Sequence, residues 1–196
     1  MNMPHMLAYT VQPITSSGKP AVIIDVGRNR TWHLATNAPD DSYWFCFMDA
    51  MNPRVMVKEF TVPGSQNSTV PAGIDTYMKD PRYFFALITK TLSTLHVPQG
   101  AFFDFLVKYG AGRELQKLEQ LNVVFGCGNY GHVSYTLTSG CGPRVDGKPA
   151  PASYERSSFS SDSTMMMMSL MPGAHGAPPY SICDSYTWTT PPPTRT

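Results

Sequence analysis

Apolar positions fall into short runs bounded by Pro, Gly and Asn, a pattern that favours several compact elements over one long one. "PAVIIDVG" is β-branched and enclosed by Pro and Gly, which predicts a strand. "SYWFCFMD" and "VMVKEFTV" flank "AMNPR" and predict a hairpin turning at Asn52 and Pro53. "KDPRYFFALITKTLSTLH" predicts a helix: Asp80 and Pro81 suit its start, and Phe84, Leu87, Ile88, Thr91, Leu92 and Leu95 recur at helical spacing. Pro98 and Gly100 end it.

"AFFDFLVKY" then predicts a central strand, with Phe103, Phe105 and Val107 on one face and Phe102, Asp104 and Leu106 on the other. "GAGRELQKLEQLN" predicts a second helix through Leu115, Leu118 and Leu121, and "HVSYTLTS" a closing strand through Val133, Tyr135 and Leu137. The glycine-rich stretch before Gly142 then serves as a structural connection. This order favours an α/β fold: a compact sandwich of a mixed β-sheet with two helices.

Composition divides the chain. Nine of the 18 prolines lie from Pro143 onward, so the reading is an N-terminal arm at 1–20, a globular domain at 21–142 and a Pro/Ser/Met-rich C-terminal arm at 143–196. Deleting Ser153 to Thr196 is therefore expected to leave a folded core. Charged residues make up 15% of the chain and the net charge is +1, which argues against nucleic-acid partners. Neither a signal peptide nor a membrane span is evident, which predicts synthesis in a cytosol.

The hairpin "WFCFMDAMNPRVMVKEFTV", the segment ending "HVPQG", "AFFDFLV", "GAGRELQKLEQLN" and "YTLTSGCG" together resemble the interleukin-like EMT inducer domain, also called the PANDER-like or GG domain. The resemblance spans about Trp44 to Gly142. It implies a compact, non-catalytic sandwich of a kind found in secreted signalling proteins, as a carbohydrate-binding appendage of glycan-processing enzymes, and in bacterial and phage proteins. The expectation drawn is a structural or adhesive component of a phage tail or virus-like particle, with other subunits of the assembly as partners. A free carbohydrate-binding module is the alternative, with cell-surface glycan as its ligand, and a small zinc-dependent enzyme ranks below both.

The candidate chemistry is thin. A sugar platform could draw on Trp32, Tyr43, Trp44, Asn129 and Tyr130, since sugar rings offer C–H faces to aromatic rings and hydroxyls to amides. Cys127, His132, Cys141 and Cys46 are possible zinc donors but lack the paired CxxC clip; packing, turns or a Cys127–Cys141 disulfide are the plainer readings. Asp49 and Asp104 could make a carboxylate pair, while His5, His96 and His175 stand in unrelated contexts. "GAGREL" opens a helix whose amides could receive an anion. No cofactor is implied. Met165, Met166, Met167, Met168, Leu170 and Met171 form an adaptable apolar segment, either a partner contact or a tail folded on its own domain.

Overall fold

The structure is a computed structural model describing residues 6–14, 17–25, 30–123, 131–143, 150–159, 164–174 and 177–183. Among these residues one antiparallel sheet holds β1 (Leu7–Gln12), β2 (Ala21–Asp25), β3 (Thr31–Ala35), β10 (Met166–Pro172) and β11 (Tyr180–Cys183), in the order β11-β10-β1-β2-β3. The second sheet holds β4 (Ser42–Asp49), β5 (Asn52–Pro63), β6 (Tyr83–Lys90), β7 (Leu92–Ser93), β8 (His132–Gly140) and β9 (Ser153–Ser158). Its order is β5-β4-β6-β8, with β7 and β9 also paired to β8. The helices are α1 (Ile74–Met78), α2 (Gly100–Lys108) and α3 (Arg113–Val123).

Strand β4 explains the layering. Tyr43, Phe45 and Phe47 point to one face and pack with Phe102, Phe105, Leu106, Leu115 and Leu118 of the helices. Trp44, Cys46 and Met48 point to the other and pack with Tyr9, Val11, Val22, Ile24, Met166, Met168 and Leu170 of the five-stranded sheet. The molecule is thus a stack of sheet, sheet and helix, with an apolar core on each side of the middle sheet. A strand covered on both faces has no polar side, so its apolar run is continuous.

Several expectations are corrected. The predicted helix at "RYFFALITK" is β6, whose Phe84, Ala86 and Ile88 face one core while Phe85 and Leu87 face the other. Burial on both faces produces a run whose apolar positions also fit helical spacing. Asp80 does cap a backbone amide, but it is that of Arg82 in a turn leading into the strand (3.0 Å).

The predicted strand "AFFDFLVKY" is α2. Phe102, Phe105, Leu106 and Tyr109 are buried, and their spacing places them on one helical face. Gly110, with φ 115°, stops the helix, and the Ala111 amide donates back to the Leu106 carbonyl (2.9 Å). The arrangement that carries the family resemblance thus changes type at two elements. The hairpin of β4 and β5, the strands β2 and β8, and the helix α3 stand as expected.

The sandwich contains two antiparallel sheets rather than one mixed sheet, and three described helices rather than two. Described segments of both sequence-read arms, Leu7–Gln12, Ser153–Ser158, Met166–Pro172 and Tyr180–Cys183, belong to the sheets. β1 lies between β10 and β2, so residues from both supposed arms pair at the centre of one sheet. β9 pairs with β8 over Ser134–Ser139. The physical reason is the second face of β4 and β6: Trp44, Met48, Phe84 and Ile88 need an apolar cover, and Leu7, Tyr9, Val11, Met166, Met168 and Leu170 supply it. No helix among the described residues is long and apolar enough to cross a membrane.

Candidate functional site

In β1, β2 and β10 the inward positions fill the inter-sheet core, so the alternate side chains point away from the molecule. Strand register sets these in rows. Met167, Thr10, Ile23 and His33 form one row, and Cys183, Ser169, Ala8, Asp25 and Thr31 the next. Met167 is 64% exposed, Ala8, Thr31 and His33 are exposed, Thr10, Ile23, Asp25 and Cys183 are half-buried, and Ser169 is buried. In these two rows Asp25 is the only acidic side chain, and there is no Lys or Arg.

A second polar constellation ties β9 to α3. The Glu155 carboxylate accepts from the amides of Gly112 (3.0 Å), Glu114 (2.8 Å) and Leu115 (3.4 Å), and from the Tyr135 hydroxyl (2.8 Å). The helix amides of "GAGREL" therefore do hold an anion, and it is the chain's own carboxylate. Burial, followed by the Glu155 charge, holds the Tyr135 hydroxyl far above its ordinary range. Beside it Ser157 donates to Glu114 (2.6 Å), and that bond holds the Glu114 carboxyl below its usual range.

A third cluster surrounds Asp41. Its carboxylate accepts from His96 Nδ1 (2.7 Å) and from the Ser93 amide (2.9 Å), and its carbonyl accepts from Gly64. Tyr43 donates to the His96 carbonyl, and Asn67 donates to that of Val97 (2.9 Å). A Cβ on Gly64 would stand 2.5 Å from Asp41 Oδ1, so only glycine fits this corner. These bonds fasten the 3-10 turn Thr94–His96 to the start of β4.

The residues singled out from sequence are dispersed. Tyr43 and Trp44 are fully buried on opposite faces of β4, and Trp44 Nε1 donates to Glu59 (2.7 Å), so neither ring can meet a sugar. Trp32 lies on β3 with the Arg54 guanidinium 4.4 Å from its ring centroid. Asn129 and Tyr130 lie outside the described residues, as do Cys127, His5 and His175. Met166, Met168 and Leu170 are buried in the chain's own core, Met165 and Met167 are exposed, and Met171 is half-buried.

The proposed metal donors are equally scattered. Cys46 lies in the inter-sheet core and Cys141 in the helix-side core, both as free thiols. Burial pushes both thiols far above their usual range, aided by Glu59 at Cys46 and Asp80 at Cys141. Asp49 accepts from the Met51 amide (2.8 Å) in the hairpin turn, while Asp104 is exposed on α2. Among the described residues no group of three His, Cys, Asp or Glu could hold a metal ion.

Sequence reasoning did not find Glu155, Asp41 or the outward rows. Glu155 sits 41 residues from its partner Glu114, so no local motif marks it. The outward rows had a weak signal in the alternation of "LAYTVQ", hidden by the Pro-rich neighbourhood. No family model, curated protein or solved structure matches the chain.

Proposed function

We propose that the chain is a non-catalytic structural module that works by subunit contact, as a repeated component of an assembled particle. A phage tail or another virion is the setting that the resemblance implies. The observation supporting this reading is the outward face of the five-stranded sheet, whose row Met167, Thr10, Ile23, His33 joins the described strands β10, β1, β2 and β3 without a lysine or arginine. Charge depletion with an exposed methionine is the composition of an interface centre.

Magnitude fixes the kind of contact. Strands about 4.8 Å apart, each about five residues long at about 3.3 Å per residue, give a face on the order of 400 Å2. A stable pairwise interface uses about 800 Å2 per partner. The face alone supports weak pairing, and many copies held side by side supply the rest through effective concentration.

The test is sedimentation of the full chain over a concentration series beside Ile23→Lys, with recovery of both from purified particles. The expected result is reversible self-association, shifted at least tenfold to higher concentration by the substitution, and a fixed copy number in particles for the parent alone. A parent chain that stays monomeric and is absent from particles overturns the reading.

A further inference from the structure

Strand β5 is the outer strand of the middle sheet, and among the described residues no strand pairs with its far side. It runs 12 residues beside a β4 of 8, and a strand edge of that length presents amides and carbonyls to another extended chain. Arg54, Val55, Val57, Lys58, Glu59 and Thr61 are all exposed along it. Val55 and Val57 are large apolar side chains in that position, 46% and 37% exposed.

An irregularity decides which of these side chains share a face. Phe47 stands opposite Lys58 and Met48 opposite Met56, so Val57 is an extra residue without a counterpart. Strict alternation would send Arg54 and Glu59, an odd number of positions apart, to opposite faces. The bulge brings them to the same one. The Arg54 guanidinium lies 4.4 Å from the ring centroid of Trp32 on β3, and Glu59 accepts from Nε1 of Trp44, whose ring fills the inter-sheet core. The edge thus carries a cation and an anion on one face, on either side of Val55, Met56 and Val57.

We infer that β5 pairs antiparallel with the β5 of a second copy, about a two-fold axis between Met56 and Val57. That axis sets Arg54 of each strand opposite Glu59 of the other and Val55 opposite Lys58, with Met56 and Val57 meeting at the centre. Opposite charges close both ends. An axis at Lys58 would instead set two ammonium groups opposite each other, and an axis at Glu59 two carboxylates, and like charges directly opposite destabilise a sheet. Charge complementarity therefore fixes both register and occupant: an unrelated strand meets the charged edge without the matching charges. Residues 54–59 in strand conformation span about 20 Å. Such a strip falls short of the roughly 800 Å2 per partner of a stable interface, so the pairing is reversible. It uses a surface distinct from the outward face of the five-stranded sheet, and it stands whether or not that face associates.

The full chain carrying Ile23→Lys, which blocks the sheet face, isolates the edge contact in sedimentation equilibrium. Reversible dimerisation is expected of it. Adding Arg54→Glu sets like charges opposite at both ends and is expected to weaken the dimer by roughly tenfold; adding Glu59→Arg as well restores opposite charges and returns the dissociation constant to near its starting value. An Ile23→Lys chain that stays monomeric, equal dimerisation of all three chains, or a folded double variant no tighter than Arg54→Glu overturns the inference. Because Glu59→Arg also takes the acceptor from Trp44 Nε1, hydrogen exchange on the Ile23→Lys chain supplies a second reading. Exchange that slows at alternate amides across 54–59 as concentration rises supports the paired edge, and exchange independent of concentration overturns it.

Discussion

Glu155 joins three parts of the molecule that sequence distance keeps apart: a carboxylate on β9, the first amides of α3 and the buried hydroxyl of Tyr135 on β8. A hydrogen bond with one charged partner contributes about 1.5–3 kcal/mol, and leaving a buried donor unsatisfied costs about 1–3 kcal/mol. Glu155→Gln keeps the shape and one acceptor oxygen, so the expected loss is about 1–3 kcal/mol. Glu155→Ala loses more, because Tyr135 then holds a buried hydroxyl without its acceptor. Urea midpoints with an unchanged slope are the measurement; a Glu155→Gln chain as stable as the parent would show that the charge is dispensable. The neighbouring Glu114 sets a pH dependence. Its folded pKa is lowered, first by the Ser157 hydroxyl, so its contribution is complete above the ordinary carboxylate range and disappears as pH falls through the lowered value. The midpoint therefore declines on acidification, less steeply in Ser157→Ala.

At the scale of elements, end signals and one-sided patterns were legible and two-sided burial was not. β8 shows in sequence because Val133, Tyr135 and Leu137 alternate with Ser134, Thr136 and Thr138. Those polar positions are buried too, but satisfied: Thr138 donates to the Phe85 carbonyl (2.7 Å) and accepts from Tyr9 (2.9 Å). In β6 every position from Phe84 to Ile88 is apolar, so period two leaves no trace and the helix spacing is accidental. In β10 the inward Met166 and Met168 alternate with an equally apolar Met167, which masks the strand. The end of α2 was readable in "KYGAG", since Gly110 takes the left-handed conformation that closes a helix. Gly110→Ala forces a Cβ into that region and is expected to cost about 1–2 kcal/mol, seen as a lower thermal midpoint. An unchanged midpoint would mean that α2 ends by another route. The candidate contact face was illegible because it exists only after β10, from the far end of the chain, is set beside β1.

The whole molecule depends on strands contributed by both ends of the chain, which reverses the expectation that a truncated core would stand alone. Removing Ser153 to Thr196 removes β9, β10 and β11, and with them the carboxylate that holds α3 and the cover over Trp44, Met48 and Phe84. Burial of Met166, Met168 and Leu170 at about 1.5–3 kcal/mol each contributes about 5–9 kcal/mol, against a total stability of about 5–15 kcal/mol for a domain. The truncation also leaves β1 without its β10 partner and bares the part of the inter-sheet face that Met166, Met168 and Leu170 cover, an apolar surface with every reason to aggregate. The expected outcome is an insoluble or molten chain, lacking a cooperative transition in urea and lacking dispersed amide resonances. Leu170→Ala in the full chain is the milder companion: it is fully buried, so a loss of about 2–5 kcal/mol is expected with the fold retained. A truncated chain that stays soluble and unfolds cooperatively would show instead that the middle sheet and its helices form an independent domain, with the five-stranded sheet added to it.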